Sequence, residues 1–364
     1  MADRLSRARG CLLGLAVGDA MGAPVDQKSL YAICTDYGPN GLLGYDLANG
    51  TADVSSYTQV AAFVSNGLLL SVSRGRTDHL PCITLSLREW ARNQQFYRDP
   101  EKSYCWVAKP KSLRAHNNRD ARMLDTLRAQ TLGTFYEPIN HNATPGALTA
   151  AVAVGNFYDS RNMTLSQIAT LGARTVALTH GDPEAFICGA IVSHIIAALS
   201  QSAQAPLLQV FSDAISAAQA LFGEKFPYAA ESVAERLNQA LTLAQDTQTD
   251  TRSAMESLSG RFCASVLSGA FYACLTSADD FDTALITAVN HSGLSAAVGA
   301  LTGAIMGAYL GAEALPEFYL ESLTPVQELS ELSSDIALRS LTTGLFDDDW
   351  DHKYMQGLPL GQPL

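Results

Sequence analysis

Glycines at positions 14, 18 and 22 recur every fourth residue within GCLLGLAVGDAMGAPVD, residues 10–26. That spacing puts them on one face of a helix. A face without side chains lets another helix come close to its backbone. A chain carrying such a face must supply a helix to cover it. A second run, VGALTGAIMGAYLGA at 298–312, has glycine spacing suited to tight packing and is predicted to form a buried central helix. Asp19 sits beside the first glycine face, where a carboxylate is costly unless hydrogen-bonded.

The rest of the chain is dominated by helical periodicity. Residues 57–73, 183–200, 206–222, 261–275 and 281–289 place apolar side chains as buried helices do, while 227–245 and 326–343 look like outer helices. Strand alternation never persists beyond a few residues. The expected fold class is therefore all-α. Residues 1–345 are expected to form a single domain, and 346–364 an acidic, then Pro/Gly-rich tail. The least regular stretches are 35–56 and 99–145, long loops of the kind that carry recognition groups.

Hydrophobic residues make up 47% of the chain, enough for a large core, and the net charge is −12. No Lys/Arg cluster offers the counterion-displacing stripe of a nucleic-acid binder, and an anionic membrane is disfavoured for the same reason. Seven cysteines without a C-x-x-C pair are expected to be reduced, buried thiols in the cytoplasm. No signal peptide is expected in MADRLSRARG and the short apolar run after it. No apolar run reaches the ~20 residues that span a bilayer, and 298–312 comes nearest.

Phosphate-binding and hydrolase motifs such as G-x-x-x-x-G-K-[ST], H-E-x-x-H and G-x-S-x-G are missing. Asp347, Asp348, Asp349, Asp351 and His352 are expected to be a solvated tail, not a metal site. His194, on an apolar helix face, is expected to be a hydrogen-bonded core histidine.

The opening run GCLLGLAVGDAMGAP resembles the first motif of the ADP-ribosylglycohydrolase family. Later stretches resemble the family in its order: GTFYEPINHNATPGALTAAVAVG (133–155), LTHGDPEAFICGAIVSHIIAAL (178–199), FYACLTSADDFDTALITAVNHSG (271–293) and VGALTGAIMGAYLG (298–311). The resemblance spans roughly residues 10–345 and implies a compact orthogonal bundle of many helices. It also implies hydrolysis of the bond between ADP-ribose and a modified side chain, with two magnesium ions held by carboxylates.

The magnesium motifs are where this chain departs. The early Thr-Asp-Asp positions hold Ser55, Ser56 and Tyr57. In the late motif, where the family reads Asp-Ser-Asp-Thr, Leu294, Ala296 and Ala297 stand in place of Asp, Asp and Thr and only Ser295 agrees. Leu148 and Thr149 stand at a Met-Arg pair, residues 117–122 differ from the family's loop, and Ala264 and Ser265 replace an acidic pair. Asp26 sits where many relatives carry Glu; it and Asp53 are isolated carboxylates. The expectation is no magnesium, no other cofactor and no hydrolysis. Three functions remain. One is a pseudoenzyme that binds a protein partner, an ADP-ribosyltransferase or a modified target, in toxin neutralisation or regulation. Another is a module that binds ADP-ribose or a nucleotide without cleaving it. The last is a hydrolase with an altered site. A bound partner or ligand is expected to use Asp26, Tyr57, Asn118, Arg119, Tyr136 and Asn140.

Overall fold

Ala- and Leu-rich runs set the helices of this chain, and the seam between its first and fourteenth helices lies at the centre. The computed structural model describes residues 3–47, 50–95, 103–117, 120–158, 163–201, 205–339, 350 and 353–354. Among these, the α-helices are α1 (Arg4–Gly22), α2 (Leu30–Tyr37), α3 (Ser56–Ser73), α4 (Leu80–Gln95), α5 (Ala121–Leu127), α6 (Leu148–Phe157), α7 (Leu165–Ala177), α8 (Pro183–Gln201), α9 (Leu207–Phe222), α10 (Pro227–Gln245), α11 (Thr251–Leu258), α12 (Cys263–Thr276), α13 (Phe281–Val289), α14 (Ser295–Leu310), α15 (Glu317–Ser322) and α16 (Val326–Arg339). No strand ladder occurs among the described residues; an isolated parallel bridge joins Ala52 to Leu323. The all-α class expected from periodicity is the observed one.

The helices start where side chains can take up the amides that a first turn leaves unpaired. Asp3, Ser55, Asp120, Asp250 and Asp280 each accept a backbone N–H at the start of the following helix. Thr164 and Gln167 form a reciprocal capping box on α7.

α1 and α14 run antiparallel. Gly10 faces Gly307, Gly14 faces Gly303, Gly18 faces Gly299, and Gly22 meets Ser295 and Ala296. A Cβ on Gly18 would lie 1.9 Å from the Gly299 carbonyl oxygen, and one on Gly303 equally 1.9 Å from that of Gly14. The backbones touch, and dispersion contacts along the whole seam replace those that side chains make elsewhere. Arg7 is buried at its far end and donates from Nη1 to the carbonyls of Leu199 at 2.9 Å and Ala308 at 3.0 Å. α3 and α16 pack beside α1, and α8, α12 and α13 beside α14. The buried apolar side chains around this pair form one connected cluster.

Several local expectations change. Ser29 caps α2, so a helix occupies 30–37 where the loop reading began at 35. α5 lies within the irregular 99–145 stretch. α8, and not 298–312, is long and apolar enough to cross a membrane, but most of it is buried inside the protein. His194 is buried and its Nδ1 has no hydrogen-bond partner. The chain end is not simply a solvated tail. Trp350 and Tyr354 are buried; Trp350 Nε1 donates to Ser73 Oγ at 2.8 Å, and the Tyr354 hydroxyl to Asp335 Oδ2 at 2.6 Å. Asp347, Asp348, Asp349, Asp351 and His352 lie outside the described residues. All seven cysteines are free, and only Cys34 is not buried.

Candidate functional site

The last turn of α1 gathers the N-termini of α3 and α14 at one end of the bundle. A helix N-terminus presents unpaired amides and a partial positive charge, so two of them together form a natural place for anionic groups. Asp19 holds the first. Its Oδ1 accepts from Ser55 Oγ at 2.6 Å. Its Oδ2 accepts from Ser55 N at 2.8 Å, Thr58 N at 3.1 Å and Thr58 Oγ1 at 2.6 Å. Full burial raises the Asp19 carboxyl above its ordinary value, while the Ser55 and Thr58 hydrogen bonds pull it back. This carboxylate anchors the start of α3 and has four donors around it.

Asp26 holds the second N-terminus. Its Oδ1 accepts the Ala296 amide at 3.1 Å. Gln27 follows at φ 64° and donates its amide to the Gly293 carbonyl at 3.0 Å. The chain thus turns directly over the first turn of α14. Ser55, Ser56, Tyr57, Ser295, Ala296 and Ala297 are all buried, and Leu294 is half-buried against the core. Ser56 donates its amide to the Asn117 carbonyl at 2.9 Å, and Asn117 Nδ2 reaches the Val54 carbonyl at 3.3 Å. These bonds tie the loop after residue 113 to the start of α3.

A polar knot lies beside this point, and its pairing could not be read from the sequence. Asp120 Oδ2 is 3.0 Å from His180 Nε2 and accepts from Thr144 Oγ1 at 2.5 Å, while Oδ1 accepts the Met123 amide at 3.1 Å. His180 Nδ1 meets Thr179 Oγ1 at 2.9 Å. Burial works against ionisation of Asp120. His180, Thr144 and the Met123 amide outweigh it and hold the carboxyl well below the usual range. Glu184 Oε1 accepts the Ala264 amide at 2.9 Å; burial raises this carboxyl and the Ala264 bond opposes the rise. Asp120 before α5 and Glu184 in the first turn of α8 each carry a helix-start signal.

The residues expected to bind a ligand do not form one constellation. Asp26 and Tyr57 lie at the two gathered helix starts. Asn118 and Arg119 lie outside the described residues. Asn140 braces its own loop: Nδ2 donates to Thr179 O at 2.9 Å and Thr126 Oγ1 at 3.1 Å, and Oδ1 accepts from Gly181 N at 3.0 Å. Tyr136 is exposed, accepts from Lys225 Nζ at 2.7 Å, and lines a separate apolar groove with Leu80, Leu85 and Leu132. Leu148 and Thr149 are buried, and Thr149 Oγ1 has no hydrogen-bond partner. Among the described residues, no three His, Cys, Asp or Glu side chains meet in a metal-holding group.

A family model described as ADP-ribosylglycohydrolase matches residues 1–345. A solved structure described as an "ADP-ribosylglycohydrolase-related protein complex" is similar over 93% of this chain and 99% of its own, with 20% identity and a TM-score of 0.61. At that identity the likeness speaks for the fold. No curated protein matches the chain at a significant level.

Proposed function

Because the chain belongs to the ADP-ribosylglycohydrolase family, we propose that it is a member impaired in hydrolysis and retained to bind a protein partner in ADP-ribosylation biology. The observation that carries this reading is the burial of Ser56, Tyr57, Ala296 and Ala297 at the two gathered helix starts. A magnesium pair needs oxygen ligands, and carboxylates to offset its charge. This donor set does not fit one. Two alanines occupy the first turn of α14 and a leucine precedes it, Asp19 is occupied by four donors, and Asp26 caps the Ala296 amide. Losing even one electrostatic stabiliser of a transition state costs on the order of 10²–10³ in rate.

Partner binding draws support from exposed apolar side chains on the segment that follows Asp26 in sequence. Tyr31, Leu43 and Leu47 are 82%, 56% and 40% exposed on one short stretch of chain. Regulation or neutralisation of a transferase would use such a surface without any chemistry.

The test is turnover of arginine-, serine- and acyl-linked ADP-ribose substrates with magnesium and with chelator. The expected rate equals background in both. Turnover by the unmodified protein that disappears in a Ser56→Ala, Ser295→Ala variant would make the reading wrong. A partner recovered from the native host should be lost when Leu43→Asp and Leu47→Asp are introduced together; unchanged recovery removes this surface from the proposal.

A further inference from the structure

We infer that the cavity between the end of α4, residues 111–116 and the start of α16 is a second ligand site, suited to a phosphorylated polyol such as a sugar phosphate. Its volume is about 860 Å³, within the ~300–1,000 Å³ of small-molecule sites. Lys111, Arg114 and His116 line it from one stretch of chain, Asn93 from α4, and Asp53 and Glu328 from two further segments. Neither Ser56 and Tyr57 nor Leu294, Ala296 and Ala297 are among its lining residues; Asp53, Ala115 and His116 place it next to the start of α3.

The cations here lack carboxylate partners: neither Lys111 nor Arg114 forms an ion pair among the described residues. A phosphate group supplies several acceptor oxygens and the negative charge that a lysine and an arginine complement.

The carboxylates lining the cavity narrow the ligand further. Asp53 and Glu328 would repel a bare anion, but carboxylates accept from hydroxyl groups. Glu328 already accepts from Ser112 Oγ at a long 3.4 Å. Cations for a phosphate together with carboxylates for hydroxyls suit a sugar phosphate. Among the described lining residues there is no Phe, Tyr or Trp to serve as an aromatic platform for a nucleobase. This favours a sugar phosphate over a nucleotide.

The inference does not rest on loss of hydrolysis. It is tested by isothermal titration calorimetry of the full chain with ribose 5-phosphate, glucose 6-phosphate, inorganic phosphate and AMP. One sugar phosphate should bind saturably, more tightly than inorganic phosphate and AMP. Arg114→Ala should weaken it at least about tenfold, as loss of a charge-assisted hydrogen bond does. Arg114→Lys should recover part of the affinity. Asp53→Asn should weaken the sugar phosphate and leave inorganic phosphate unchanged or tighter. Lys111 is exposed, so Lys111→Ala keeps the test open should an Arg114 variant fold poorly by circular dichroism. The inference is overturned if neither sugar phosphate saturates at millimolar concentration, if Lys111→Ala and folded Arg114→Ala bind as the parent does, if Asp53→Asn has no effect on sugar phosphate affinity, or if AMP binds more tightly.

Discussion

Gly303→Ala adds one methyl group to the seam between α1 and α14. Its carbon would lie 1.9 Å from the Gly14 carbonyl oxygen and 2.6 Å from the Gly14 carbonyl carbon. Ordinary contact needs about 3.5 Å between such atoms. Both obstacles are backbone, so no side chain can rotate away, and the helices must separate over several turns. Alanine gains about 1 kcal/mol of helix propensity over glycine. Overpacking costs about 1–3 kcal/mol where side chains can yield, and more where they cannot. Parting the helices also loosens the Gly10–Gly307 and Gly18–Gly299 contacts, so the net destabilisation should be about 2 kcal/mol or more. Gly44→Ala is the control, because nothing lies within 4 Å of its added carbon; it should stay within about 0.5 kcal/mol of the parent. Urea denaturation followed by circular dichroism measures both. Gly303→Ala unfolding at the parental midpoint with the parental slope would refute the claim that these backbones touch.

Asp19→Asn puts an amide donor among the Ser55 and Thr58 donors and should cost about 3 kcal/mol in the same assay; a loss under about 0.5 kcal/mol would show that Asp19 does not anchor α3. Burial lowers His291 from 6.5 to about 4, and its Nδ1 accepts the Gly293 amide at 2.9 Å, so the folded protein keeps it neutral. The unfolded chain takes up the proton near pH 6.5 and the folded one resists until about pH 4. This contribution is therefore full above about pH 6.5 and falls by about 3 kcal/mol on the way down to pH 4. His291→Gln should flatten the loss of stability measured between pH 7 and pH 4, and an equal slope would contradict it. Tyr354→Ala removes a fully buried ring and its bond to Asp335 and should lower stability by about 3 kcal/mol; an unchanged melting temperature would mean the chain end is not docked. Magnesium at millimolar concentration should not shift the melting temperature of the parent protein. The five-site variant Ser56→Asp, Tyr57→Asp, Leu294→Asp, Ala296→Asp, Ala297→Thr should gain such a shift, and a shift in the parent itself would contradict the donor-set argument.

The helical class was legible because long apolar runs repeat at a single period. Both halves of the glycine seam were visible at 14, 18, 22 and 298–312, but their register was not, since a bare face does not say which helix covers it. The short helices α2 and α5 escaped because eight and seven residues barely establish a period amid Gly, Pro and Asn. Asp19 was flagged as a carboxylate needing partners, and Ser55 and Thr58 supply them. The Asp120–His180 contact joins two segments that each look like an ordinary helix start, so only folding pairs them. Asn140 looked like an exposed recognition group because loop composition is similar whether an amide faces solvent or stitches its own backbone. Trp350 and Tyr354 stand among aspartates, and the local charge outweighed two aromatic rings that bury themselves elsewhere.

The seam also sets a timetable for biosynthesis. α1 leaves the ribosome with an apolar surface interrupted by bare glycine backbone, well before the helix that covers it, which starts only at Ser295. At about 5–20 residues per second, roughly 15–60 s pass between the emergence of Gly22 and that of Ser295. Throughout that interval the nascent chain carries a sticky, unmated segment, and no intermediate length can close the seam. The seam can close only once α14 has emerged, so α1 waits through the synthesis of every helix between them. This is an arrangement in which holdase chaperones would have long access to α1, and in which loss of α14 would leave its glycine face uncovered.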